Sequence, residues 1–319
     1  IGLPDTDLSV SLIGLGTSNI GLNMEEKEAD RLLDGYLELG GNLIDTAHVY
    51  SNWVLGERAR SERVIGDWIG RNAHNGKREQ IVLMTKGGHP EILKDAPEWG
   101  KVRPTHGAMV NDLNHSLQKL QIDYIDIYFY HRDNEDVPVS ELIDIMEDFR
   151  KQGKIRYYAC SNWTTARMKE ADAYAASKGC RGFVANEALY NIGEPWMKPM
   201  ADDTLVIMDK EMQRYHEENP QNLAMPYSAA CNGFFHKLLA AGREAVVNSE
   251  YYAEGNLNNM RIISKLMEKY GISVTQAVLG YLTCQNFQCL PLYGPRNTED
   301  LKDAMGTFEI PFRAEDYRE

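Results

Sequence analysis

Four side chains could share acid–base chemistry: Asp45, Tyr50, Lys86 and His131. Each of the three charged or titratable partners of the tyrosine closes an apolar run. Leu43 and Ile44 lead to Asp45, and Tyr50 follows shortly after. Ile81, Val82, Leu83 and Met84 lead to Lys86, and the run over residues 124–130 leads to His131. A tyrosine, with a pKa of about 10, is a poor acid at neutral pH. A nearby ammonium favours the phenolate and lowers that value. Asp45 could hold Lys86 in place, and His131 could hydrogen-bond a carbonyl oxygen or relay a proton. Tyr50 could then give a proton to that oxygen. Taken singly, such residues are usually caps, packing or solvated charges. Their shared position at the ends of strand-like runs gives them weight.

Strand-like and helical segments alternate along the chain. Strands fit residues 9–15, 42–45, 80–86, 124–131, 154–161, 182–186, 223–228 and 288–293. Most are apolar on both faces, as parallel strands covered on both sides should be. Between them, apolar residues recur at three- and four-residue spacing, as at Met109, Leu113, Leu117 and Leu120. Eight such units predict an α/β fold of the (β/α)8 TIM-barrel type over residues 1–319, one domain with long loops at the C-terminal face of the strands. The connections 87–104 and 229–255 are long enough to be lids.

Composition narrows the partners. The 319 residues carry 34 Lys plus Arg against 47 Asp plus Glu, a net charge of −13. That balance argues against a nucleic-acid partner, which needs a basic face. The five cysteines, Cys160, Cys180, Cys231, Cys284 and Cys289, are odd in number and form no CxxC pair. They point to a reducing, cytoplasmic setting without disulfides or structural zinc. No run of about 18 apolar residues suggests a membrane span. Three other readings fail on single residues. Gly14 and Gly16 open like a dinucleotide fingerprint, but Asn19 stands where its third glycine belongs. His131, Arg132 and Asp133 open like a kinase catalytic loop, but Pro138 stands where that loop needs Asn. A metal site on Asp45, His48 and His131 would place a dication beside Lys86, so no metal is expected.

The set Asp45, Tyr50, Lys86 and His131 resembles the catalytic tetrad of the aldo-keto reductases, as found in bacterial aldo/keto reductase-like oxidoreductases. Further motifs follow in the family's order. Leu12, Ile13, Gly14, Leu15, Gly16 and Thr17 are similar to its first strand and cofactor-contacting turn. Gly56 and Glu57, Ser61 and Glu62, and Ile65 and Gly66 resemble the segment after the tyrosine. Gly153, Lys154, Ile155 and Arg156 lead to Ser161 and Asn162 as in the family signature. The resemblance implies an NAD(P)-dependent oxidoreductase that reduces aldehydes, ketones or open-chain sugars. The alternative is a catalytically weak, cofactor-binding regulatory barrel subunit. It assigns the cofactor to Gly16, Thr17, Asp45, Ser161, Asn162, Glu187, Tyr227, Ser228, Ala230, Asn232, Gly233, Gly294, Arg296 and Asp300. Tyr227 would stack on the nicotinamide, and Asn232 and Gly233 would embrace the pyrophosphate. Trp53, Trp99 and Trp163 are candidate walls of a substrate pocket.

Departures from the pattern bear on the cofactor. NADP is the family default, held here by Arg296 alone, because Asp300 and Asp303 fall in a segment where relatives tend to carry further ligands. An acid suits a free ribose hydroxyl better than a phosphate, so NAD is the second possibility. Ser228, Ala229 and Ala230 replace the usual Ser-Pro-Leu. Glu187 stands where relatives usually have Gln. It either accepts a hydrogen bond from the carboxamide near the ring, or turns to a backbone N–H or to Lys86.

Overall fold

A computed structural model describes residues 1–24, 26–52, 57–90, 92–93, 96–97 and 103–318. Eight parallel strands form its curled sheet: β1 (Gly14–Gly16), β2 (Leu43–Asp45), β3 (Val82–Gly87), β4 (Ile125–Tyr130), β5 (Ile155–Ser161), β6 (Ala185–Glu187), β7 (Leu223–Ala224) and β8 (Leu292–Tyr293). From β1 to β7 each pairs with the next, and β8 pairs with β1. Leu290 donates to the Ala224 carbonyl and Leu292 to that of Pro226, each at 2.9 Å, which closes the circle. The result is a (β/α)8 barrel.

Inside the barrel, Leu43, Met84, Ile127, Phe129, Ala159, Leu223, Met225 and Leu290 form one apolar cluster. Leu3, Leu8 and Val10 join it from a hairpin bridged at Gly2 and Ser9. That hairpin lies against the strand starts, where Arg156 pairs with Asp7 at 2.7 Å. The opposite end stays open to polar chemistry.

Helices cover the sheet from outside, among them Val139–Lys151, Val274–Thr283 and Thr298–Met305. Thr105, Thr164, Asp209, Ser273 and Asn297 cap helices by accepting a backbone N–H.

Several strands are shorter than the apolar runs. The run 223–228 keeps a regular ladder only at Leu223–Ala224, because Pro226 has no N–H to give. Met225 and Tyr227 still donate to Asn186 and Ala188, so the chain stays in register. The connection 229–255 is not an open loop. It contains the helix Phe234–Ala241 and single turns at Cys231–Gly233 and Arg243–Ala245. Phe234, Phe235, Val246 and Tyr251 bury against Ile263 and Ala277, which fixes it to the barrel. The connection 87–104 lies partly outside the described residues and includes a small antiparallel ladder of Ile92–Leu93 with Ala96–Pro97.

Candidate active site

Strand register brings the four residues together. Asp45 ends β2, Lys86 lies one residue before the end of β3, and His131 follows β4 with its N–H on the Gly87 carbonyl at 2.9 Å. Tyr50 sits on the turn after β2, where its N–H reaches the Ala47 carbonyl at 3.0 Å. Lys86 is the centre. Its ammonium donates to Asp45 Oδ1, to the Thr46 carbonyl at 3.1 Å and towards the Tyr50 hydroxyl at 3.4 Å. It also lies 3.3 Å from Glu187 Oε2, and 5.1 Å from the centre of the Tyr50 ring.

Burial dominates the electrostatics. It acts to depress the Lys86 pKa, but the Asp45 and Glu187 charges more than offset it, and the ammonium persists. Burial raises the Tyr50 pKa above its ordinary value. Lys86 pulls it down, while Asp45 and Glu187 push it up. The lysine therefore acts in the direction its chemistry suggests, against a larger desolvation cost. His131 is driven well below the usual histidine range by burial, then by His89, Arg132 and Lys86. Its imidazole is neutral at pH 7. It meets the Tyr50 ring edge-on at 5.9 Å, and its Nδ1 has no hydrogen-bond partner among the described residues.

Above this floor lies a cavity of about 660 Å³. Tyr50 and His131 line it, and Lys86 lies beneath. All the residues assigned by resemblance to a cofactor face it: Gly16, Thr17, Asp45, Ser161, Asn162, Glu187, Tyr227, Ser228, Ala230, Asn232, Gly233, Gly294, Arg296 and Asp300.

Their side chains are not all free for a ligand. The Thr17 hydroxyl donates to the Asp45 carbonyl at 2.8 Å. Asn162, held at φ 58°, accepts from Val206 N–H at 3.0 Å and from the Tyr227 hydroxyl at 2.8 Å. Its amide donates to Ser161 Oγ at 2.9 Å and to the His131 carbonyl at 3.3 Å. Asn162 thus braces several strand ends as well as facing the cavity. Arg296 is already engaged by Asp300, at 2.7 and 3.2 Å.

Backbone features mark the same surface. A Cβ on Gly16 would lie 3.4 Å from the Tyr293 carbonyl carbon, so two turns approach closely there. Ser228, Cys231 and Asn232 are non-glycine residues in the left-handed region, a strain that clusters at functional surfaces. Gly233 then caps the helix Phe234–Ala241, whose N-terminal end favours negative charge.

Trp163 is not a pocket wall. It is fully buried among Tyr130, Phe183 and the Arg167 guanidinium, and does not reach the cavity. Its position just after β5 turns the indole down into the core. Trp53 and Trp99 lie outside the described residues. Arg132, Leu205, His236, Lys237 and Thr275 line the cavity without having been singled out by sequence. The two Phe residues before His236, with Leu238 beyond, form a short apolar stripe that signals a helix there. No group of three or more His, Cys, Asp or Glu suited to a metal occurs among the described residues. No helix among them is long and apolar enough to cross a membrane.

A cavity at the C-terminal end of a (β/α)8 barrel is where enzymes of this fold place their active sites. Comparison with known proteins gives the family. The aldo/keto reductase family model matches residues 12–319, and the chain belongs to that family of oxidoreductases. It is 26% identical over 311 residues to the uncharacterized oxidoreductase YrpG of Bacillus subtilis, covering 96% of this chain and 89% of that one. It is 27% identical to the NADP(+) aryl-alcohol dehydrogenase of Phanerodontia chrysosporium, covering 98% and 82%. The crystal structure of the thermostable aldo-keto reductase Tm1743 with the inhibitor epalrestat superposes with a TM-score of 0.73 at 20% identity, covering 100% of this chain and 97% of that one. At that identity the likeness concerns the fold.

Proposed function

We propose that the protein is an NAD(P)H-dependent reductase of aldehydes, ketones or open-chain sugars. The observation that carries this reading is the Lys86 ammonium, held by Asp45 and 3.4 Å from a Tyr50 hydroxyl that faces the cavity. The residues fit a dinucleotide: Glu187, with one buried oxygen unpartnered, lines the cavity, glycines at two chain segments allow close approach, and a helix start lies beside Lys237. A reduced nicotinamide held by these residues would supply hydride. Tyr50 gives its proton to the carbonyl oxygen, and Lys86 stabilises the phenolate left behind. Neutral His131 orients the same oxygen by a hydrogen bond.

The family default is NADP(H), with Arg296 and Lys237 at the rim for a 2′-phosphate. The Asp300 carboxylate on Arg296 weighs towards NAD(H), since it occupies the fork that a phosphate needs. Aryl-alcohol dehydrogenases among the relatives make aromatic aldehydes the first substrates to try. Fluorescence titration with NADPH and NADH, followed by turnover on an aldehyde panel, tests the reading. Binding with turnover supports it. Binding without turnover on any aldehyde, ketone or sugar points to the regulatory subunit, and no binding overturns both.

A further inference from the structure

Two carboxyl groups meet on one ammonium at the floor of the cavity. Lys86 donates to Asp45 and lies 3.3 Å from Glu187 Oε2, so the two buried acids share one cation. Two like charges so close cannot both ionise cheaply in a buried site. Of the two, Glu187 makes the longer contact with the ammonium, so it is the better place for the proton. Burial and the Asp45 charge push its carboxyl up to about 8, with Lys86 pulling the other way. Its second oxygen, Oε1, has no partner among the described residues, although the residue is only 2% exposed. A buried acceptor left unpaired is costly unless something in the cavity meets it. Glu187 lines that cavity beside Tyr50, Ser161 and Asn162.

Building on the nicotinamide reading above, we propose that Glu187 couples the redox state of the bound cofactor to a proton. Its carboxyl releases a proton to solvent when the oxidised, cationic ring occupies the cavity, and keeps it when the ring is neutral. A cation beside a carboxyl favours ionisation, and does so strongly where water is excluded. Affinity for the oxidised cofactor then rises with pH towards the point where Glu187 would ionise unaided. Affinity for the reduced form does not.

The titratable groups that face Glu187 are Asp45 on β2, Tyr50 on the turn after it, Lys86 on β3, Cys160 on β5 and Tyr227 after β7. Burial raises Tyr50, Cys160 and Tyr227, and Asp45 foremost keeps Lys86 charged, so none of these four exchanges a proton near neutrality. Asp45 is the one competing proton store, and replacing Glu187 separates the two.

The test measures dissociation constants of oxidised and reduced cofactor at about pH 6, 7 and 8, by tryptophan and nicotinamide fluorescence, for wild type and Glu187→Gln. Calorimetry in buffers of different ionisation enthalpy counts the protons released by the wild type. In wild type, the oxidised form should tighten by up to about tenfold per pH unit, the limit for one linked proton. The reduced form should stay flat, and close to one proton should leave on binding the oxidised form near pH 7. In Glu187→Gln both affinities should be flat. Cofactor binding without proton release, or a Gln variant that keeps the pH dependence, overturns the proposal while leaving the reductase reading intact. Failure of both cofactors to bind overturns the two together. The wild-type proton count decides the matter even where the variant does not fold.

Discussion

Lys86 at the floor of the cavity and Arg296 at its rim each face an aspartate, in opposite surroundings. The Lys86 side chain is 1% exposed and meets two acids, a carbonyl and a phenol. The Arg296 side chain is 80% exposed and meets Asp300 four residues away on the same turn of chain. Water screens the second pair, so it contributes little to stability and its partner is exchangeable. The first pair lies where desolvation is the largest influence on every group, and its members cannot be removed singly without stranding a charge. One ion pair is thus suited to fixing protonation states, the other to choosing among ligands.

The largest effect that would break this contrast is at Lys86. Lys86→Met leaves Asp45 and Glu187 without their cation. Removing one partner of a buried pair costs about 3–5 kcal/mol. The acids can escape by protonation, so the loss should depend on pH. With the cation gone, their folded-state pKa values rise further, and the native state holds protons that the unfolded chain releases. Stability then falls as pH rises above the ordinary carboxylate range. Thermal melts should show the gap to wild type widening from about pH 5 to about pH 8. A small, pH-independent gap would mean that the floor is no more coupled than the rim.

Glu187→Gln should act more gently and through the same linkage. In wild type the Glu187 carboxyl, raised from 4.5 to about 8, makes the folded state hold a proton that the unfolded state loses. That contribution is present below the ordinary carboxylate range and is lost as pH rises through about 8. The variant lacks the term, so its melting temperature should gain on wild type over that window. A constant difference would show Glu187 titrating as an ordinary acid.

The rim should respond least in stability and most in selectivity. Arg296→Ala should change stability by no more than about 0.5 kcal/mol. It should weaken NADPH more than NADH. Asp300→Asn, which frees the guanidinium fork, should tighten NADPH several-fold relative to NADH. Equal shifts for both cofactors would assign Arg296 to the scaffold.

The floor was more legible in the sequence than its wiring. Asp45, Lys86 and His131 stand out because each closes an apolar run, and parallel strands deliver such ends to one face of a barrel. The helix His106–Leu120 was readable because Met109, Leu113, Leu117 and Leu120 recur at helical spacing. Glu187 was readable as a departure from the family with Lys86 among its possible partners, but choosing Lys86 depends on β6 lying across the barrel from β3, which strand order fixes only in three dimensions. Trp163 misled because it follows two cavity residues, and the turn after β5 sends its ring the other way. His236 and Lys237 were missed because the glycines around them hide a short helix.

The central claim is that Tyr50, set by Lys86 under the cavity, is the proton donor in carbonyl reduction. Single-turnover reduction of an aromatic aldehyde by Tyr50→Phe, with cofactor affinity and thermal melting measured on the same protein, tests it directly. The account predicts retained cofactor binding, a folded protein and a rate lowered by about 10² to 10⁴-fold, the usual contribution of a general acid. A folded variant that binds cofactor and keeps more than about a tenth of the wild-type rate would contradict it.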